Sequence, residues 1–310
     1  MPRFNAVPKA TDRSTPLQIE LSTRPAILPL YFRVLTARKK KASASQGDTV
    51  LASVSLRGQQ VDVERLRAYR DVCGFAAGGQ LPATYPFVLA MPLHLKLLVS
   101  DAFTFPILGL VHLRNQITQH RPIAPDEALD IRCDLLPPVA VKRGYEFALT
   151  TRVSVAGTLV WECESVMLSR ARHSGKDKPL QSGLVLLPQD IQGMSGHGGD
   201  SWDIPEAAGR NYARVSGDWN PIHLFASSAR LFGFSSAIVH GMWTKAACLA
   251  SLERRSGLPE SFRQSVEFKR PVPLPSSVRF QSQAGAGATV FRVADDSGKT
   301  QYLNGLLEPL

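Results

Sequence analysis

Residues 216–223 read Ser-Gly-Asp-Trp-Asn-Pro-Ile-His, so Asp218 stands five residues before His223 with an Asn-Pro pair between them. Asparagine is a favoured N-cap because its side-chain oxygen accepts an unpaired N–H of the first helical turn. Proline at the next position gives up only a donor that the helix start leaves unpaired anyway. The pattern predicts a helix of about three turns from Pro221 to Phe232, with Gly233 as the residue that ends it. His223 then lies in the first turn, and Asp218 in the loop that enters it. An acid and an imidazole this close suit a solvated turn, a metal half-site or a catalytic pair. The capped start fixes the two side chains relative to each other, so they can face one small space.

Working outward, His240-Gly241-Met242 opens an apolar stretch, GMWTKAACLASLERRSG (241–257), which reads as a helix. Arg254 and Arg255 in its last turn and Gly257 beyond it are stop signals. Met242, Ala246, Ala247, Leu249 and Leu252 form its core face. The Gly241 N–H is one of the unpaired donors of a helix N-terminus, and no side chain blocks approach to it. Such a donor can hold a developing oxyanion. An acid, an imidazole and an oxyanion donor together suit proton transfer next to a carbonyl. His240 reads as a hydrogen-bonding neighbour of the site rather than a second base. Ser216 lacks a GxSxG elbow and is no hydrolase nucleophile. His94, His112, His120, His173 and His197 have no partners at metal-ligand spacing, so no metal site is expected.

The chain also repeats itself. Arg121-Pro122-Ile123 matches Arg270-Pro271-Val272 at an offset of 149 residues, and Leu129 and Ile131 match Val278 and Phe280 at the same offset. Tyr69 and Tyr212 sit late in corresponding early segments, which Asp62 and Asp203 open. Each half has a strand or short helix, a loop, an apolar helix and then strands. In the first half, 91–103 reads as the helix, with Pro92 near its first position. Alternating and β-branched residues give the strands that follow: VHLRNQITQHRPI, EALDIRCDLLP, YEFALTTRVSVAG and TLVWECESVMLSR. The second half supplies FRQSVEFKRPV, SSVRFQSQAG, ATVFRVADD and KTQYLNGLLEP. Strands following one long helix predict an α+β fold with the sheet wrapped around that helix. The expected organisation is an N-terminal extension (1–45), a first repeat (46–172), a polar and Gly-rich linker (173–200) and a second repeat (201–310).

Tyr212, Ser216-Gly217-Asp218, Asn220-Pro221-Ile222-His223, Ala229, Gly233-Phe234, Ile238 and His240-Gly241-Met242 together resemble the MaoC-like, R-specific enoyl-CoA hydratase (hydratase 2) family. FKRPV (268–272) extends the likeness, and residues 1–50 lie outside it. The resemblance implies a double hot dog: two repeats, each an antiparallel sheet wrapped around a central helix. It implies reversible addition of water to a trans-2-enoyl thioester, giving the (R)-3-hydroxyacyl thioester. Asp218 and His223 would hold and activate the water, Gly241 N–H would polarise the thioester carbonyl, and Asn220 would support them. Ser216, Gly217, His240, Phe268, Lys269 and Arg270 are the expected substrate neighbours, with the two cations as candidates for the carrier's phosphates. No cofactor is needed. The first half has CGFAAGGQLP (73–82) where the second has SGDWNPIH, and LAMPL (89–93) where the second has VHGM. One active site per chain follows, with room for a longer acyl chain where the first half is shortened.

The 310 residues carry a net charge of +10 and are 44% hydrophobic. No uninterrupted apolar stretch is long enough to span a bilayer, and no secretory h-region opens the chain. Cys73, Cys133, Cys163 and Cys248 are scattered and read as reduced, buried thiols, which suits the cytoplasm. The basic run ARKKK (37–41) reads as a solvated segment. Without a zinc finger, an RNP-like aromatic cluster or a basic heptad array, nucleic acid is not an expected partner. The charge suits an anionic acyl-CoA or an acidic acyl carrier protein. A double hot dog already contains one pseudo-dimer, so a monomer or a homodimer is expected.

Overall fold

The computed structural model describes residues 16–36, 50–172, 199–285 and 287–310. The ARKKK run and nearly all of the expected linker lie outside these. The chain begins with β1 (Leu17–Leu21) and α1 (Ile27–Thr36). The first repeat follows as β2 (Ala52–Gln59), α2 (Val63–Cys73), α3 (Tyr85–Leu98), β3 (Val111–Gln119), β4 (Leu129–Leu135), β5 (Val139–Val141), β6 (Gly144–Val155) and β7 (Thr158–Ser169). The second is β8 (Asp200–Ile204), α4 (Ala208–Ser216), a 3-10 turn (Pro221–His223), α5 (Ala226–Arg230), α6 (Gly241–Ser256), β9 (Phe262–Phe268), β10 (Ser276–Ala284), β11 (Thr289–Ala294) and β12 (Gln301–Pro309). The eight strands expected after the two long helices all form.

The strands make one sheet in the order β1-β2-β4-β6-β7-β3-β9-β12-β11-β10-β8, with β5 beside β6. The repeats meet where β3 pairs antiparallel with β9. There Gln116 faces Ser265, while Asn115 faces Val266 and Ile117 faces Gln264. Adding 149 to 115, 116 and 117 gives 264, 265 and 266. A shift by the repeat therefore maps each of these pairs onto the other or onto itself, as a two-fold axis between Gln116 and Ser265 requires. The sequence offset is the register of the central strand pair. One apolar cluster runs through both halves and takes in Leu89 and Leu93 of α3, Ala246 and Leu249 of α6, and the inward residues Leu129, Ile131, Val278 and Phe280. α3 is apolar nearly all round, and α6 buries ten of its residues, as central helices of a double hot dog must.

Two helices differ from the sequence expectation. α3 starts at Tyr85 rather than 91, so Pro86 takes the early position and Pro92 lies inside. An interior proline has no N–H for the carbonyl four residues back, here that of Val88. Arg24 Nη2 donates to that carbonyl at 3.0 Å, so the N-terminal segment repairs the gap. The helix stops at Leu98, where the Ser100 hydroxyl takes the Leu97 carbonyl at 2.6 Å. The expected helix over 221–232 is broken in two. Phe225 is extended (φ −145, ψ 151) between the 3-10 turn and α5, and the Ser228 hydroxyl joins the Leu224 N–H on the Pro221 carbonyl, at 2.6 and 3.3 Å. Gly233 has φ +84, as its place after the last turn anticipates. The N-terminal extension is part of the fold over β1 and α1, with β1 pairing parallel to β2.

Candidate active site

α4 ends at Gly217, whose φ of +80 turns the chain out of the helix while its N–H still reaches the Ala213 carbonyl at 2.8 Å. Ser216 shapes the loop that follows. Its hydroxyl donates to the Tyr212 carbonyl at 2.7 Å and accepts the Asp218 N–H at 3.1 Å, which leaves it a support for the loop. Asn220 caps the 3-10 turn through its side chain, and its main-chain N–H reaches Asp218 Oδ1 at 3.2 Å. Asp218 and His223 are thus held by the two ends of one short capped segment.

His223 is buried. Its Nδ1 lies 2.7 Å from the Ile238 carbonyl, which can only accept, so Nδ1 carries the proton and Nε2 keeps its lone pair. Burial lowers the His223 pKa, outweighing the opposite pull of Asp218 and of the Ile238 carbonyl, so the ring is a neutral base at pH 7. For Asp218, burial raises the pKa, but His240, His223, the Tyr31 hydroxyl and the Asn220 N–H outweigh it and hold the group below its ordinary value. The result is a carboxylate beside a neutral imidazole, ready to accept protons.

His240 is buried and stacks on His223, with ring centroids 3.7 Å apart. Its Nε2 donates to the Asp218 carbonyl at 3.0 Å and lies 3.8 Å from Asp218 Oδ2. Burial, and His223 beside it, push its pKa down to about 3. It behaves as a neutral plate that fixes His223 and the Asp218 loop. One donor atom from each of Asp218, His223 and His240 lies within 4.8 Å of the others.

Gly241 begins α6 directly after His240. A Cβ there would stand 2.9 Å from the Phe268 ring, so the glycine is needed for close packing. Phe268 in turn lies 4.9 Å from the His112 ring, across the β3–β9 junction. Among the expected neighbours, Lys269 is ion-paired to Glu267 at 2.7 Å and Arg270 is exposed. Neither touches Asp218 or His223. The residue that the sequence reading missed is Tyr31, whose hydroxyl donates to Asp218 Oδ1 at 2.8 Å. Its only signal is a polar-tipped aromatic inside the apolar run AILPLYF, ahead of both repeats.

Residues 189–302 match the family model described as MaoC like domain. The chain is 36% identical over 237 residues to 3-hydroxyacyl-thioester dehydratase X of Mycobacterium tuberculosis, covering 76% of this chain and 81% of that protein. The crystal structure of HtdX from the same organism superposes with a TM-score of 0.71 at 31% identity, over 83% of this chain and all of that one. A MaoC-like dehydratase from Phytophthora capsici shares the fold, with a TM-score of 0.66 at 17% identity, over 84% of this chain and 95% of that one. The fold is a double hot dog, and the second repeat brings Asp218, His223 and His240 together. The chain belongs to the MaoC-like dehydratase family.

Proposed function

We propose that this chain interconverts trans-2-enoyl and (R)-3-hydroxyacyl thioesters by adding or removing water, with the enoyl-CoA hydratase 2 reaction as its activity. The observation that carries this reading is the neutral His223, its Nδ1 proton committed to Ile238 and its Nε2 free, beside an ionised Asp218. In the hydration direction Asp218 and His223 hold one water. His223 Nε2 accepts a water proton as the oxygen bonds C3, and a proton is delivered to C2 on the same face. One water is added and nothing is oxidised or reduced. Negative charge gathers on the thioester oxygen, where the Gly241 N–H at the positive end of α6 offsets it. Dehydration is the same path reversed. The relative from Mycobacterium tuberculosis, named as a 3-hydroxyacyl-thioester dehydratase, supports the substrate class.

The net charge of +10 suits an acidic acyl carrier protein as the carrier as well as it suits CoA, for the same chemistry. Both readings are tested by following loss of the conjugated thioester absorbance, with enoyl groups of increasing length on CoA and on carrier protein. The product is assigned with R- and S-specific dehydrogenases. An R product and a preference for chains beyond four carbons are expected. An S product, or turnover confined to four carbons, contradicts the reading of the site or of the shortened first half, respectively. A folded chain that turns over neither carrier's esters is a thioester binder and not an enzyme.

A further inference from the structure

Tyr31 and Asp218 are 187 residues apart in sequence, yet their side chains share a 2.8 Å hydrogen bond. The Asn220 N–H reaches the same carboxylate oxygen, Oδ1, at 3.2 Å. Two donors on Oδ1 leave Oδ2 as the oxygen turned toward the imidazoles, 3.8 Å from His240 Nε2. We propose that Tyr31 is a positioning residue for the hydration reaction: it pins Oδ1, so that Oδ2 is presented to the water that adds or leaves.

This inference rests on the hydratase reading of the site, and the way Tyr31 is held supports it. The first repeat anchors the segment that carries it. β1 lies along β2, and Arg24 fills the hydrogen-bond gap above Pro92. Leu30 and Val34 of α1 pack with Leu95 of α3. Ile27 comes so near the catalytic loop that a Cβ on Gly217 would lie 2.2 Å from its Cδ1. Arg65 of α2 ties down the same turn through its Nε and the Val215 carbonyl at 2.8 Å. The half without catalytic groups is the platform for the strap that serves the other half. Burial and the neighbouring Asp218 raise the Tyr31 pKa, so the phenol stays a donor wherever Asp218 is ionised. The titratable groups that act on Asp218 are otherwise His240 and His223. Tyr212 and His112 feel its charge from α4 and β3.

The test is Tyr31→Phe, which keeps the ring and removes the hydroxyl. The expected loss in kcat is roughly tenfold or more, the scale of one charge-assisted hydrogen bond, with KM within about twofold. The removed bond had lowered the Asp218 pKa, so the Asp218 step of the acid limb of kcat/KM, which follows protonation of His223, moves to higher pH. The Asp218 carboxyl titration, read by 13C NMR on labelled protein, moves the same way. In an Asp218→Asn background, Tyr31→Phe is expected to add nothing further. A Tyr31→Phe enzyme with an unmoved limb and an unmoved carboxyl titration, whatever its thermal stability, overturns the proposal. If the wild-type protein turns over no thioester, the hydratase reading fails, while the NMR titration still decides whether Tyr31 governs Asp218.

Discussion

The two repeats follow the same path until one glycine and then part. α2 and α4 end on Gly74 and Gly217, with φ of +79 and +80. Tyr69 and Tyr212, which precede them by five residues each, bring their rings within 6.2 Å of each other. The offset between the tyrosines is 212 − 69 = 143, but at the β3–β9 junction it is 149. The second repeat therefore carries six extra residues between these points, and the loop of Asp218 and His223 lies there. Counting 149 back from Gly241 reaches Pro92, an interior residue of α3 with no N–H at all. The second repeat starts its 16-residue central helix only at Gly241 and leaves its N-terminal donors open. The first extends its helix to Tyr85 through that region. The two repeats thus differ most at the start of the central helix, where the proposed reaction would place its oxyanion donor.

Loss of the acid–base pair should have the largest effect. Asp218→Asn and His223→Ala are each expected to lower kcat by ~10²–10⁴-fold. His94→Gln in the first repeat, where His94 meets only Thr151 Oγ1 at 2.7 Å among polar side chains, is expected to cost stability and leave kcat within about twofold. A large kcat loss from His94→Gln would break the assignment of one site per chain. The oxyanion donor comes next. Gly241→Ala and Gly241→Pro both put a Cβ against Phe268, but only proline also removes the N–H. Proline is well tolerated at the first position of a helix, so the difference between the variants isolates the donor. A gap of roughly 10²-fold in kcat is expected. Equal activities would remove Gly241 N–H from the mechanism.

The pH profile should be milder. Both site groups have lowered pKa values, so the active protonation state extends below the ordinary imidazole range. kcat/KM is expected to fall along an acid limb centred below pH 6.5, as His223 and then Asp218 are protonated. An acid limb centred above 6.5 would contradict the burial argument for His223. Exhaustive chelation should leave these rates unchanged, and a loss reversed by a divalent ion would turn the Asp218, His223 and His240 cluster into a metal site.

Much of this was legible in the sequence because chemistry and capping share the same residues. Asn220 and Pro221 announce a helical start that fixes Asp218 and His223, and Gly241 opens the next long helix. The repeat offset was legible too, since Arg121-Pro122 and Arg270-Pro271 flank the strands whose pairing it sets. What stayed hidden depends on contacts between distant segments. The start of α3 could not be read, because the Val88 carbonyl that Pro92 leaves unpaired is taken up by Arg24, 64 residues away. Tyr31 could not be read, because nothing local marks a tyrosine in an apolar run as the partner of an acid 187 residues away. Nor did the charges of Lys269 and Arg270 reveal that Glu267 neutralises the first.

Lys245 gives the smallest and most structural difference between the halves. It sits one turn beyond Gly241 in α6, fully buried, and its ammonium donates to Asn115 Oδ1 at 2.6 Å and to the carbonyls of Gln264 and Asn115 at 3.0 and 3.2 Å. Asn115 belongs to β3, so this cation links the second repeat's helix to the first repeat's strand. The residue 149 positions earlier is Lys96, which is partly exposed. Burial lowers the Lys245 pKa to about 7, against the raising effect of Cys163 and Cys248. Between that value and the ordinary 10.5 the unfolded chain holds a proton that the folded one has released. Stability should therefore rise with pH across that window, by up to ~1.4 kcal/mol per pH unit. Lys245→Met removes the titrating group and should flatten that part of the curve, while Lys96→Met should leave the slope intact. Urea unfolding at pH 7 and at pH 9.5 measures it. A slope that survives in Lys245→Met would mean that the three oxygens keep the ammonium charged, and the interface would then be sealed by a buried cation and not by a neutral amine.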